Sequence, residues 1–204
     1  MKIIGIGKNY VANTSEINSL KNGDQIIFLK AESTLVTNNK DIVFPKITNE
    51  LAYEVELVVK IGKKGKDIPV ENANAYISEI AVGIDYTAKD VLAASRENKG
   101  PWALAKSFDG ASPISNFLPV SKFEKLDDIN FSLKINGQEK QVGNTNYMIY
   151  NFAEIIAFVS RFMTLEAGDI IFTGTPALGA GLNVKGDHLQ AFIENELLLD
   201  FKLI

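Results

Sequence analysis

Short apolar runs punctuated by turn residues set the texture of the chain. Lys2–Ile6, Gln25–Leu29, Leu51–Ile61, Ile77–Ile84, Ile129–Ile135, Asp169–Thr173 and Leu189–Ile193 are rich in β-branched and aromatic residues and predict strands. Asn136-Gly137, set between two such runs, predicts a type I′ hairpin, because both central residues of that turn need positive φ. Glu194-Asn195-Glu196 predicts another tight reversal before the last strand. Helical periodicity is scarcer. Asn151, with Glu154 three residues on, reads as an N-cap, and behind it Phe152, Ile155, Ile156, Val159 and Phe162 recur at helical spacing. A second helix is predicted from Thr87 to about Asn98, before Gly100-Pro101. Many strands with two or three helices predict an α+β, β-rich fold. No repeat, low-complexity tract or linker divides it, so residues 1–204 read as one domain.

Composition narrows the chemistry. A hydrophobic share of 46% against 23% charge is that of a globular domain, and 204 residues can bury a substantial core. The net charge of −4 argues against non-specific nucleic-acid binding, which needs a basic surface. No stretch approaches the ~20 apolar residues of a membrane span. The start, Met1-Lys2-Ile3-Ile4-Gly5, lacks the apolar core of a signal peptide, so a cytoplasmic protein is the expectation. The absence of cysteine excludes disulfides, thiolate catalysis and Cys-ligated zinc. One histidine, His188, beside the turn residues Lys185-Gly186-Asp187, reads as a surface residue and leaves no basis for a Ser-His-Asp triad. Gly5-x-Gly7 lacks the third glycine of a dinucleotide fingerprint, because Tyr10 stands there. Carboxylates, lysines, hydroxyls and backbone groups remain.

The sharpest chemical signal is Leu51-Ala52-Tyr53-Glu54-Val55-Glu56-Leu57-Val58-Val59. In a continuous strand, Glu54 and Glu56 share one face roughly 7 Å apart at the backbone, opposite Tyr53, Val55 and Leu57. A solvated outer face is the ordinary explanation of such a pair. Two like charges that close in an apolar strand otherwise repel unless a cation lies between them. Asp85, which ends the apolar run Ile77–Ile84, tips the balance, although alone it would serve as a helix N-cap. Three carboxylates form a hard oxygen set of the kind Mg²⁺ or Mn²⁺ prefers. Lys106, in the small apolar setting Ala103-Leu104-Ala105-Lys106-Ser107-Phe108, needs an anionic partner once buried, from the protein or from a substrate. Thr173-Gly174-Thr175-Pro176 follows a strongly apolar strand and offers amides and hydroxyls to an anion, or simply ends the strand.

An ordered set of motifs resembles the fumarylacetoacetate hydrolase family in its small acylpyruvase and oxaloacetate decarboxylase form. The matching stretches are Gly7-Lys8-Asn9-Tyr10, Phe28-Leu29-Lys30, Tyr53-Glu54-Val55-Glu56-Leu57, Gly83-Ile84-Asp85-Tyr86-Thr87-Ala88-Lys89-Asp90, Pro101-Trp102-Ala103-Leu104-Ala105-Lys106-Ser107-Phe108, and Leu165-Glu166-Ala167-Gly168-Asp169-Ile170-Ile171-Phe172-Thr173-Gly174-Thr175-Pro176. The resemblance implies a rolled β-sheet fold, a single catalytic domain whose residues 1–24 include a lid segment, and a homodimer. It implies Mg²⁺ or Mn²⁺ on Glu54, Glu56 and Asp85, and a small 2-oxo acid chelated through its carboxylate and keto oxygens. It further implies substrate contacts from Lys8, Tyr10, Lys30, Lys89 and Thr175, and catalytic parts for Glu16 and Lys106.

One departure bears on the reaction. The family's hydrolases carry a histidine shortly after the Asn-Tyr pair and a glutamate three residues later, a dyad that activates water. Here the glutamate is Glu16 but the histidine position is Asn13, which cannot take up and release a proton near neutral pH. Leu92 stands where decarboxylase-type members carry glutamine, and Lys8 where arginine is usual. The resemblance makes a divalent-metal-dependent C–C hydrolase of acylpyruvate or fumarylpyruvate type the working function. An oxaloacetate decarboxylase or keto–enol tautomerase, or a non-catalytic 2-oxo acid binder, are the alternatives that Asn13 favours.

Overall fold

The computed structural model describes residues 1–204. Its centre is a six-stranded mixed sheet ordered Ile26–Lys30, Ile3–Gly7, Ile170–Phe172, Val55–Ile61, Ile77–Ile84 and Leu118–Pro119. Ile3–Gly7 runs parallel to Ile170–Phe172, and the other neighbours are antiparallel. A second, wholly antiparallel sheet is ordered Gln138–Asn144, Asn130–Ile135, His188–Ile193 and Glu196–Lys202. Its two hairpins form where the turn residues predict them. Asn136 and Gly137 adopt φ of 53° and 77°, the positive pair a type I′ turn demands, and Glu194 turns the other hairpin with φ 51°.

The two sheets close over one large apolar cluster, to which Phe131, Leu133, Leu189, Ala191, Leu199 and Phe201 contribute from the second sheet. The Phe152–Phe162 helix seals an edge with Phe152, Ile155, Ile156 and Val159. Its start is a complete capping box: the Asn151 side chain accepts from the Glu154 amide, and the Glu154 carboxylate accepts from the Asn151 amide, both at 3.0 Å. Asn151→Ala is expected to lower stability by about 0.5–2 kcal/mol, measured by chemical denaturation, without altering the fold. No helix is long and apolar enough to cross a membrane.

Two sequence expectations change. There are five α-helices rather than two or three, the additional ones being the single turns Ile17–Leu20, Val70–Ala73 and Ala103–Lys106. The helix expected from Thr87 begins at Lys89 and ends at Glu97, because Thr87 and Ala88 pair with Ala52 and Leu51. That pairing also breaks the strand expected over Leu51–Ile61. Leu51–Tyr53 belongs to a small three-stranded sheet with Gly181–Leu182 and Thr87–Ala88, and Val55–Ile61 enters the central sheet. Glu54 sits at the corner between them, opposite Asp85, whose amide donates to the Glu54 carbonyl at 2.8 Å. The face of the Val55–Ile61 strand that carries Glu56 is also covered, by a second apolar cluster of Ile3, Val58, Ala81, Ile114, Ile170 and Phe172. A solvated outer face is therefore excluded.

Candidate metal centre

Two strands turning the same corner bring Glu54 and Asp85 face to face, and Glu56 joins them from the first residues of the central-sheet strand. One carboxylate oxygen from each of the three lies within 4.8 Å of the others. Glu56 and Asp85 are buried at 3% and 1% exposure, and Glu54 is half-buried. Burial pushes the Glu56 carboxyl well above the usual carboxylate range, and the charges of Asp85 and Glu54 add to the shift. Burial likewise raises Glu54, with Asp85 adding and Lys106 opposing. Burial would raise Asp85 as well, but Lys106 and Lys30 overcome it and hold its pKa below the ordinary value.

Those two lysines compensate the acidic cluster from within. Lys106 Nζ donates to Glu54 Oε2 at 2.8 Å and to Asp85 Oδ2 at 2.5 Å. Burial works against its charge, but Asp85 and Glu54 together hold its pKa above the ordinary lysine value. Lys30 Nζ donates to the other Asp85 oxygen and, at 2.6 Å, to the carbonyl of Ala111. Its pKa falls, because full burial and the nearby Lys106 charge outweigh the attraction of Asp85.

The strand-ending turn supplies the remaining contacts. Gly174 has φ 101°, a conformation that glycine adopts without penalty, and its amide donates to Glu56 Oε2 at 2.7 Å. The Thr175 hydroxyl donates to the Val55 carbonyl and accepts from the Gln141 amide, both at 2.9 Å. Gln141 Oε1 in turn accepts from the Val55 amide at 2.9 Å, so this buried side chain ties the Thr175 turn to the backbone between the two glutamates. Asn9 fastens the same region from behind, donating to the Thr173 and Tyr150 carbonyls at 2.9 and 3.0 Å.

The cluster opens into a cavity of about 90 Å³. Glu54, Glu56, Asp85, Lys106, Lys8 and Thr175, all singled out from the sequence, line it together. Phe28, Leu92 and Trp102 supply apolar lining, and Arg96 a further cation. Other expected residues lie elsewhere. Lys30 does not line the cavity; its side chain is sealed beneath Asp85 by the sheet. Tyr10 lines a separate hollow with Val142, Tyr147 and Pro176. Its buried hydroxyl has no hydrogen-bond partner, and burial together with the Glu56 charge keeps it protonated. Lys89 is exposed at the first turn of its helix, because Thr87 and Ala88 are held in a strand that turns it outward. Glu16 is exposed and engaged in a capping box: its Oε1 accepts from the Asn13 amide at 3.1 Å, while Asn13 Oδ1 accepts from the Ser15 amide at 3.0 Å. His188 is remote from the cluster, paired at 2.5 Å with Asp200.

Sequence reasoning did not single out Gln141 or Arg96. Gln141 stands in the polar run Gln138–Asn144 with nothing local to mark it as buried. Arg96 had a faint signal, the helical spacing that puts it one turn beyond Leu92 on the same side.

The donor set fits a divalent cation. Three carboxylates supply hard oxygens that lie within 4.8 Å of one another, and Gly174 occupies only one lone pair of Glu56.

Taken together, a β-rich fold with strand corners converging on a Glu-Glu-Asp cluster, closed by two buried lysines and a glycine turn, defines an acidic-site domain suited to a hard divalent cation. Residues 2–198 match the family model described as fumarylacetoacetate (FAA) hydrolase C-terminal, and the chain belongs to that family. It is 36% identical over 201 residues to a mitochondrial oxaloacetate tautomerase of Bos taurus, covering 98% of this chain and 90% of the relative. It is also 36% identical over 193 residues to a mitochondrial oxaloacetate decarboxylase of Dictyostelium discoideum, covering 94% and 88%. Among solved structures, fumarylpyruvate hydrolase of Pseudomonas aeruginosa in complex with Mn²⁺ and pyruvate superposes with a TM-score of 0.89 at 31% identity, covering 100% of this chain and 90% of the other.

Proposed function

We propose that this chain is a divalent-metal-dependent enzyme of small 2-oxo acids, and that its reaction is keto–enol tautomerisation or decarboxylation of an oxaloacetate-type substrate rather than hydrolysis. The observation that carries the reading is the convergence of Glu54, Glu56 and Asp85 on one small cavity with Lys106 between two of them. The relatives named for oxaloacetate chemistry support the substrate class, and the fumarylpyruvate hydrolase solved with Mn²⁺ and pyruvate supports a divalent cation of that kind.

Glu54, Glu56 and Asp85 would hold the cation. When bound, it supplies Lewis-acid stabilisation of the enolate that forms beside the keto group. Lys106 brings an ammonium with three donors to the same point, suited to a substrate carboxylate. Phe28, Leu92 and Trp102 give part of the cavity an apolar wall, which lowers the local dielectric and strengthens charge interactions beside it. A volume of about 90 Å³ suits an acid of a few carbons rather than a long acyl chain, being well under the ~300–1,000 Å³ of a drug-sized site.

Hydrolysis would add a requirement the cavity does not meet, a base for the attacking water. Asn13 is not a base, Leu92 is apolar, and Glu16 is held in the Asn13 capping box on the surface. Tautomerisation and decarboxylation need the enolate stabilised but no activated water. The C–C hydrolase remains the second reading, favoured by the fumarylpyruvate hydrolase likeness and requiring the Thr14–Leu20 segment to close over the cavity as a lid.

The deciding experiment gives the Mg²⁺- or Mn²⁺-loaded protein a panel of oxaloacetate, acetylpyruvate and fumarylpyruvate. Enol decay and CO₂ release from oxaloacetate should be accelerated and should stop with a chelator, with acylpyruvate cleavage slow. Asn13→His should raise acylpyruvate cleavage by about 10-fold or more, with a rate rising through pH ~6.5 as the new imidazole loses its proton. Efficient cleavage by the unmodified protein, with no effect on oxaloacetate, would establish the hydrolase reading instead.

A further inference from the structure

We infer, on the reading that Glu54, Glu56 and Asp85 take a divalent cation, that Gln141 is a positioning residue for that centre. Its side chain, which lies outside the cavity, holds the Val55 peptide against the Thr175 turn and so sets the spacing of Glu54 and Glu56.

Val55 stands between the two glutamates, and the sheet leaves it half-paired. Ile84 lies opposite it on one side. On the other, the strand Ile170–Phe172 reaches only as far as Val58, with Thr173 bonded to Leu57 beyond it. The Val55 amide and carbonyl have no strand partner there, although the residue is fully buried. Gln141 and Thr175 take both groups. Gln141 Oε1 accepts from the Val55 amide, Gln141 Nε2 donates to Thr175 Oγ1, and the Thr175 hydroxyl donates to the Val55 carbonyl, each at 2.9 Å. This loop of bonds begins and ends at Val55, and its direction is forced. A backbone amide only donates and a carbonyl only accepts, so neither a flipped Gln141 nor a rotated Thr175 hydroxyl satisfies every member.

The hairpin is shaped to deliver this side chain. Gln141 pairs with Leu133 but Glu139 with Lys134, which leaves Lys140 as an unpaired extra residue, a bulge of the kind that re-aims a side chain. Beside it Gln141 turns inward to 1% exposure, between the exposed Lys140 and Val142. Gly179, at φ 88°, closes on the bulge so tightly that a Cβ would come within 2.1 Å of the Lys140 carbonyl. The chain leaving the Thr175 turn is thereby clamped to the same hairpin.

The loop of bonds holds the donor set in place. Thr175 follows Gly174, whose amide donates to Glu56 Oε2 at 2.7 Å. Glu54 lies at a corner outside either strand, tied by its carbonyl to the Asp85 amide. Cutting the loop frees the Val55 peptide to turn, and a turn there moves both glutamates relative to Asp85.

Mn²⁺ binding, read by the loss of the free ion's electron paramagnetic resonance signal at a temperature where each variant is folded, tests this. Gln141→Met keeps the volume but removes both polar contacts, and should weaken Mn²⁺ binding by about 10–100-fold, the range typical of residues that orient metal ligands. Thr175→Val, which cuts the same loop elsewhere, should weaken it similarly, and Thr175→Ser should keep the unmodified affinity. The Gln141→Met, Thr175→Val double variant should bind little worse than either alone. Asn151→Ala, which lowers stability from a helix cap outside the cavity, should leave Mn²⁺ affinity unchanged and so separates positioning from a general loss of stability. Unchanged affinity in Gln141→Met, or a loss matched by Asn151→Ala, would overturn the inference while leaving the metal reading intact. Should Gln141→Met fail to fold, equal affinities in Thr175→Val and Thr175→Ser would overturn it in the same way. Absence of Mn²⁺ binding by the unmodified protein would overturn both.

Discussion

Asp85→Asn is expected to cost about 3–5 kcal/mol of folding stability as well as metal binding and turnover, the scale measured when one partner of a buried ion pair is removed. Asp85 is 1% exposed and accepts from two ammonium groups, one oxygen for Lys30 and the other for Lys106. Lys106 would keep Glu54 at 2.8 Å, but Lys30 would keep only the Ala111 carbonyl at 2.6 Å. A charge sealed under the central sheet would then have no counter-ion. The cost should consequently be coupled to Lys30. In a double-mutant cycle read by urea denaturation of the metal-free protein, Lys30→Met combined with Asp85→Asn should be much less destabilised than the sum of the single changes. The double variant should regain stability without regaining affinity for Mn²⁺. Additive losses would show that Lys30 does not depend on Asp85 for its charge.

Glu56→Gln should have the opposite signature: turnover lower by about 10²–10³-fold or more, the effect of losing a preorganised electrostatic group, with metal-free stability preserved or improved. Glutamine keeps the shape and can still accept the Gly174 amide that Glu56 holds at 2.7 Å. It removes a carboxylate that burial, Asp85 and Glu54 all disfavour in its charged form. Because the folded-state pKa of Glu56 lies above its unfolded value of ~4.3, the metal-free fold holds a proton that the unfolded chain releases. The associated stability is present at low pH and is lost as pH rises through the raised folded value. Thermal melts in a chelator should therefore show Glu56→Gln gaining on the unmodified protein as pH rises from 5 to 8. With saturating Mn²⁺ the order should reverse, because the unmodified protein alone gains the full stabilisation of the bound cation. A variant less stable than the unmodified protein at every pH without metal would contradict the like-charge account of this cluster.

These two expectations differ although the residues share a site and a chemistry. Asp85 is the carboxylate that the fold has already neutralised with two ammonium groups, whereas Glu56 has no lysine partner and accepts only from the Gly174 amide. That division could not be anticipated from Glu54-Val55-Glu56 and a distant aspartate, because it depends on which lysine reaches which oxygen.

The sequence by itself determined what is short-range. Alternating and β-branched runs specify strands because side chains point to opposite faces at every step, and the Ile77–Ile84 run indeed delivers Asp85 at its end. Asn136-Gly137 and the Asn151–Glu154 box act within four residues, so their turn and cap form wherever those segments lie. The acidic residues themselves were legible, as a Glu-x-Glu spacing and as the end of a strand, but not their convergence on one point. Tertiary structure decided the rest. Whether Leu51–Ile61 stays one strand depends on Thr87 and Ala88, which pull Leu51 and Ala52 into a separate sheet and leave Glu54 at the corner. Lys30 looks like any lysine ending an apolar strand until Asp85, 55 residues on, takes its ammonium. Gln141 reads as an exposed polar residue until the hairpin folds it against Val55 and Thr175. Each of these outcomes is set by partners brought together only when the sheets close, and burial then makes the partnership obligatory, since a charge or amide cut off from water must find its complement in the protein.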